Sequence, residues 1–146
     1  DPILDGDVLY TSGEGHVRAI DRHTGKVLWR SDDVGIVPEL FLDDRTVYAQ
    51  LGGRFYDIMS DEWSWKGHYG AAAIDRTTGK LRWNYQFTHH DLWDMDVGSQ
   101  PTLLDMKTAD GVKPALIAPT KQGSLYVLDR RDGTPGELAR HAPGRD

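Results

Sequence analysis

The sequence contains no cysteine. That excludes a disulfide framework and any thiolate metal site. There is no apolar run long enough to cross a bilayer, and no secretory signal segment. Positive charge is in deficit: 17 Lys and Arg stand against 23 Asp and Glu, a net charge of −6. That balance argues against nucleic acid or an anionic membrane surface as a partner. Helical stripes are missing along the whole length. The chain begins Asp1-Pro2, without Met, as a processed or excised piece would. What is present is ordinary for a globular domain. The 146 residues suffice for one domain, and 38% are hydrophobic and 27% charged. Sixteen glycines and five tryptophans fit a protein of short strands and tight turns.

Self-comparison exposes a repeat. Ala19-Ile20-Asp21-Arg22-His23-Thr24-Gly25-Lys26-Val27-Leu28-Trp29 returns 54 residues later as Ala73-Ile74-Asp75-Arg76-Thr77-Thr78-Gly79-Lys80-Leu81-Arg82-Trp83. After another 54 residues comes Val127-Leu128-Asp129-Arg130-Arg131-Asp132-Gly133, which lacks the Trp and continues Thr134-Pro135-Gly136. Equal offsets of this size indicate a solenoid, propeller or array. Each copy reads as a strand, a second strand ending in Asp, a Thr-Gly or Asp-Gly turn, and a returning strand. In the first and third copies a Gly turn joins the first two strands, Gly13-Glu14-Gly15 and Gln122-Gly123. Strands are expected near 7–12, 16–21, 26–30, 45–50, 70–75, 80–86, 115–119 and 124–129. Four short strands fit in one repeat, as in a propeller blade. The expected fold is all-β: a single partial β-propeller over 1–146 with about three four-stranded blades. The repeats run about 7–44, 45–98 and 99–136, and a loose Pro/Gly/Arg-rich tail covers 137–146. The middle copy carries an insertion from Gly52 to His68, in which Phe55, Tyr56, Trp63 and Trp65 are expected to form a small apolar cluster. Trp29 and Trp83 are expected to pack between blades.

One stretch breaks this pattern. His89-His90-Asp91-Leu92-Trp93-Asp94-Met95-Asp96 puts two histidines, three carboxylates and a tryptophan into eight residues. It has no strand or helix periodicity and reads as a loop held by the scaffold, where chemistry tends to sit. Lys121 follows 27 residues after Asp94, at the end of the strand Ala115 to Pro119. Adjacent histidines on an extended chain point to opposite faces, so His89 and His90 are not expected to share a metal.

The pattern Ala-x-Asp-x-x-Thr-Gly-x-x-x-Trp, satisfied by Ala19–Trp29 and Ala73–Trp83, resembles the tryptophan-docking repeat of quinoprotein propellers. The stretch from Ala73 to Gly133 is more specific. His89 to Asp96, Gln100-Pro101-Thr102-Leu103, Pro119-Thr120-Lys121-Gln122-Gly123 and Val127-Leu128-Asp129-Arg130-Arg131 resemble the membrane-type dehydrogenases that use pyrroloquinoline quinone (PQQ). Glucose dehydrogenase and quinate/shikimate dehydrogenase are the nearest in kind. The resemblance implies an eight-bladed ring with PQQ and a divalent cation, Ca²⁺ or Mg²⁺, near its axis. It implies Asp94 as catalytic base, and as a candidate metal ligand, and Lys121 as the residue that contacts the quinone carbonyls. One departure is visible. The family carries a Gly-Asn motif upstream that helps hold the metal, whereas Gln50-Leu51-Gly52-Gly53 stands here.

The chemistry these types could perform is coherent. A carboxylate at a substrate hydroxyl can take its proton as hydride leaves carbon. A fixed cation beside a carbonyl being reduced stabilises the developing charge. The expected function is therefore part of a PQQ-dependent dehydrogenase that oxidises a sugar, polyol or cyclic alcohol and passes electrons to a quinone. The resemblance places it in the periplasm, tethered to the inner membrane by an anchor outside this segment. Three blades by themselves are expected to be inactive. The rival reading is a non-catalytic propeller scaffold of the outer-membrane assembly type. The Asp94 and Lys121 motifs weigh against it, since a scaffold has no use for them.

Overall fold

The computed structural model describes residues 2–53, 55–64, 68–89, 97, 99–121 and 123–136. Among these residues there is no helix. The strands are β1 (Ile3–Asp5), β2 (Val8–Asp21), β3 (Val27–Ile36), β4 (Glu39–Leu42), β5 (Thr46–Leu51), β6 (Phe55–Asp57), β7 (Glu62–Ser64), β8 (Gly70–Asp75), β9 (Leu81–Gln86), β10 (Thr102–Thr108), β11 (Gly111–Pro119) and β12 (Leu125–Asp129). All pairings between them are antiparallel, in the orders β1-β2-β3, β4-β5-β8-β9 and β10-β11-β12, with β6-β7 as a separate hairpin. The all-β propeller architecture read from the repeat is the one observed.

The run Val8–Asp21 has 14 residues, and if straight it would span about 45 Å. Yet the Arg22 backbone N–H donates to the Asp7 carbonyl at 3.1 Å. The run therefore doubles back on itself. The reversal falls at Gly13-Glu14-Gly15, where Gly15 has φ 78°, as the repeat demands. The other two units make the same closing bond, Arg76 N–H to Arg45 O at 3.0 Å and Arg130 N–H to Pro114 O at 3.1 Å. Counted this way, the first sheet has four strands, like the second. The third begins a fourth at Pro135, which bridges to Leu128. Strand β3 runs six residues past the expected end at 30, because Ser31, Val34 and Ile36 are buried. Strands β1, β4 and β10 were not placed from sequence. Glu39–Leu42 pairs with β5 and so belongs to the second sheet.

Strand β8 shows how the sheets stack. Ala72 and Ile74 on one face join Tyr10, Val17 and Ala19 of the first unit in one core. Ala71 and Ala73 on the other face join Leu116, Ala118 and Leu128 of the third unit in a second core. A strand buried on both faces reads as a continuous apolar run. Three consecutive alanines give both neighbouring sheets room to approach.

Each Trp closes a seam. Trp29 Nε1 donates to the Arg76 carbonyl at 2.9 Å, and Trp83 Nε1 donates to the Arg130 carbonyl at 3.1 Å. The expectation that these two pack between blades holds, and the partner is the Asp-Arg-x-x-Gly turn of the following unit. The turn itself is fixed by its Asp. Asp75 Oδ1 accepts from the Thr78 N–H and the Thr78 hydroxyl, both at 2.9 Å. Asp21 does the same with Thr24 at 2.8 and 2.9 Å. The inserted segment corrects one expectation. Tyr56 and Trp63 pair at 5.1 Å between ring centroids, but Trp63 is 54% exposed, so the pair decorates an exposed hairpin rather than filling a loop core. Trp65 lies outside the described residues.

Candidate functional site

The register fixes which residues share an end of the central sheet. Gly70 pairs with both Leu51 and Gln86, so the end of β5, the start of β8 and the end of β9 lie together. The Thr-Gly turn after Asp75 is at the opposite end. The His89–Asp96 stretch leaves β9 at the Leu51 end. Its first member, His89, is exposed. His90 to Asp96, and with them Asp94, lie outside the described residues, as do Gly98 and Gln122.

The chain is described again at Val97, which is buried and bridges antiparallel to Thr120. This bridge pairs Val97, the residue after the stretch, with Thr120, the residue before Lys121. Lys121 is exposed, on a turn that joins β11 to β12. The turn is closed by the Thr120 N–H donating to Ser124 O and the Gly123 N–H donating to Thr120 O, both at 2.9 Å. Its neighbours Thr120 and Ser124 are buried, so the cation stands on a braced support. From the other side the Tyr126 hydroxyl donates to the Phe87 carbonyl at 2.7 Å, and the two rings stack at 4.5 Å. That contact fixes β9 against the third unit just before the stretch begins.

Two further side chains at this end were given no role from sequence, Gln50 having been noted only as part of Gln50-Leu51-Gly52-Gly53, where the family's asparagine is missing. Gln50 is 8% exposed, and its Nε2 donates to the Val97 carbonyl at 3.3 Å. Its Oε1 is buried with no hydrogen-bond partner among the described residues. His68, just before β8, is held below the usual imidazole pKa by burial, with a smaller contribution from the charge of His89. Both lack a sequence signal, because a Gln at a strand end and a His in an insertion are commonplace.

The exposed ammonium of Lys121 suits an anionic, carbonyl-bearing group, whereas the buried Gln50 Oε1 is an acceptor and suits only a donor. A divalent cation is less well provided for. Among the described residues no three of His, Asp and Glu converge to hold a metal, and Gln50 replaces the asparagine motif. A cleft of about 420 Å³ lined by Asp43, Arg45, Tyr48, Arg82 and Arg130 opens at the opposite end. Two of its arginines are committed to carboxylates, Arg82 to Asp75 at 2.6 Å and Arg130 to Asp105 at 2.9 Å. It is the floor of a seam between units and carries none of the motif residues.

Comparison with known proteins agrees with this geometry. Residues 42–136 match the family described as PQQ: glucose/ethanol/alcohol dehydrogenase, beta-propeller domain. The quinoprotein glucose dehydrogenase A of Acinetobacter calcoaceticus is 39% identical, over 83% of this chain and 18% of its own length. A probable quinate dehydrogenase (quinone) of Xanthomonas campestris pv. juglandis is 44% identical, over 67% of this chain and 13% of its own. The chain thus spans under a fifth of these relatives. A solved quinohemoprotein alcohol dehydrogenase from Pseudomonas putida HK5 superposes with a TM-score of 0.67 at 20% identity, over 92% of this chain and 26% of that one. That likeness speaks for the fold. No helix among the described residues is long and apolar enough to cross a membrane. With the repeat, the docked tryptophans and the Val97–Thr120 junction in place, the chain belongs to the PQQ glucose/ethanol/alcohol dehydrogenase β-propeller family.

Proposed function

We propose that these residues form part of a PQQ-dependent dehydrogenase that oxidises a sugar, polyol or cyclic alcohol and passes the electrons to a quinone. The observation that supports it is the bridge between Val97 and Thr120, the residues that follow the Asp94-bearing stretch and precede Lys121 in the sequence. Relatives of this kind are quinoprotein glucose, glycerol and quinate/shikimate dehydrogenases. Bound PQQ supplies the two-electron acceptor. Asp94 takes the proton of the substrate hydroxyl as general base. Lys121 holds its positive charge where carbonyl oxygen becomes electron-rich. A divalent cation, where bound, would take Asp94 as one ligand and would polarise the quinone carbonyl as a Lewis acid. The units are taken as about 7–38, 39–98 and 99–136, with Glu39–Leu42 moved to the second on its pairing and 137–146 as tail. A periplasmic location, with any membrane anchor outside this segment, is part of the same proposal.

The test is dye reduction by a longer polypeptide that contains these residues within a complete propeller, with PQQ and Ca²⁺ supplied and glucose, glycerol and quinate offered in turn. Saturable turnover is expected with at least one. Asp94→Asn is expected to lower kcat by about 10²- to 10⁴-fold while PQQ still quenches tryptophan fluorescence. Lys121→Ala is expected to weaken that quenching. Absence of PQQ-dependent turnover, or full turnover in Asp94→Asn, would overturn the assignment and favour a scaffold.

A further inference from the structure

We propose that Gln50 is a positioning residue of the candidate site: its side-chain amide ties the downstream end of the His89–Asp96 stretch to the Lys121 turn. The inference rests on the functional reading above for its catalytic meaning, and on geometry alone for the tie.

The internal repeat makes the case. Ser12 and Gln50 occupy the same place in the first two units, each five residues after the carbonyl that closes its unit, Asp7 and Arg45; the third unit has Pro119 there, which has no side-chain donor. In the first unit the Ser12 hydroxyl donates to the Val37 carbonyl at 2.9 Å. Val37 lies on the short link between β3, which ends at Ile36, and β4, which starts at Glu39. In the second unit the same job falls to Gln50, whose Nε2 donates to the Val97 carbonyl at 3.3 Å. Here the link between strands is long, from Gln86 to Thr102, and contains the whole motif stretch. Val97 itself bridges to Thr120, the residue after Pro119. Gln50, Val97 and Thr120 therefore form one connected junction, with Lys121 next in sequence and Asp94 three residues before Val97.

The amide's orientation follows from its partner. Turned over, it would present Oε1 to the Val97 carbonyl, oxygen against oxygen, so Nε2 is the atom that faces Val97. That leaves Oε1 buried without a partner among the described residues. An unsatisfied buried acceptor is costly, about 1–3 kcal/mol. Serine would avoid that cost if holding the link were all that mattered and the link were short. At this position the tether outweighs the cost.

The control is built into the fold. Ser12→Ala removes the equivalent bond one unit away. Gln50→Met keeps the volume and loses the donor, Gln50→Glu keeps the shape and sets an acceptor against the Val97 carbonyl, and Gln50→Asn is one methylene too short. Amide hydrogen exchange on the protein without cofactor reads the tie directly. In Gln50→Met and Gln50→Glu, peptides covering 88–97 and 119–124 are expected to exchange about five- to tenfold faster, with 36–42 unchanged. In Ser12→Ala the pattern is expected to reverse. If one Gln50 variant fails to fold, the others decide. With PQQ and Ca²⁺, kcat is expected to fall by about 10- to 100-fold in the Gln50 variants, with KM for the alcohol within about twofold, and to hold in Ser12→Ala. Uniform acceleration across the chain, no acceleration at 119–124, or an equal kcat loss in Ser12→Ala would overturn the proposal. Wild-type protein without PQQ-dependent turnover would sink the functional reading alone, since the exchange pattern stands without it.

Discussion

The indole of Trp29 and the turn glycine Gly79 are in direct contact across the seam between the first two units. A Cβ placed on Gly79 would lie 2.7 Å from Trp29 Cε3, and the same ring donates its N–H to the Arg76 carbonyl. Gly133 stands in the same relation to Trp83, at 2.8 Å. Gly25 has the same backbone, φ 70°, but nothing within 4 Å of where its Cβ would be. The turn thus asks for glycine on conformational grounds in all three units, and for close approach of a ring in two.

Replacing these glycines should separate the two demands. Gly25→Ala should cost only the left-handed backbone penalty, about 1–2 kcal/mol. Gly79→Ala should add overpacking against an indole that its hydrogen bond holds in place, a further 1–3 kcal/mol or so. Urea denaturation of both variants checks this. Equal losses would mean that Trp29 shifts aside freely and that the seam is not tightly packed.

Acid should loosen the turns. Asp75 is held well below the usual carboxylate range, first by the Arg82 guanidinium and then by the Thr78 N–H and hydroxyl. Asp21 is lowered by the Thr24 bonds. A carboxylate with a depressed folded pKa contributes stability that is fully present above its unfolded value, near 3.9, and is lost as pH falls through the folded value. The urea midpoint should therefore drop below about pH 4. Asp75→Asn should lower the midpoint at pH 7 and flatten its decline between about pH 4 and 2. A variant curve parallel to wild type would show that other carboxylates set the acid limb.

The repeat was legible because its signals are local. Asp, Thr and Gly within five residues define a turn by their own hydrogen bonds, and the alternation on either side gives the strands. The site was legible only in part. Lys121 and the motif stretch stood out as unusual sequence, and the described part of the site is the bridge between their neighbours Val97 and Thr120. Gln50 was noted only for the asparagine missing around it, and its contact was not legible, because the partner is a carbonyl 47 residues away and a polar residue at a strand end ordinarily faces water. Strand β10 escaped notice for a related reason. It is an outer strand on the described part of its sheet, with exposed and half-buried residues alternating, so Asp105, Lys107 and Thr108 read as loop. Trp63 misled in the opposite direction: its aromatic bulk suggested a small core, yet the hairpin holding it is itself exposed.

A last relationship separates equivalent arginines. Arg22, Arg76 and Arg130 are 54 residues apart in turn, but their surroundings differ. Arg76 Nε donates to the Tyr10 hydroxyl at 2.9 Å, Nη1 donates to the Asp43 carbonyl at 3.0 Å, and Nη2 pairs with the Asp5 carboxylate. Its side chain is 20% exposed, and it links the first unit to the second. Arg22 pairs with Asp7 at 3.2 Å, with side chains 44% and 70% exposed. An exposed pair of that kind is worth little, since water and salt screen it. Arg22→Met should therefore change stability by less than about 0.5 kcal/mol. Arg76→Met keeps the stem and removes three donors. It leaves the Tyr10 hydroxyl, 3% exposed as a residue, without its partner, and should cost about 1.5–3 kcal/mol. Raising salt to about 1 M should erase what little Arg22 contributes and leave most of the Arg76 effect, because that network is partly shielded from solvent. Urea midpoints of the two variants at low and high salt check both parts. Equal losses would show that position in the repeat, not enclosure between units, sets the worth of these arginines.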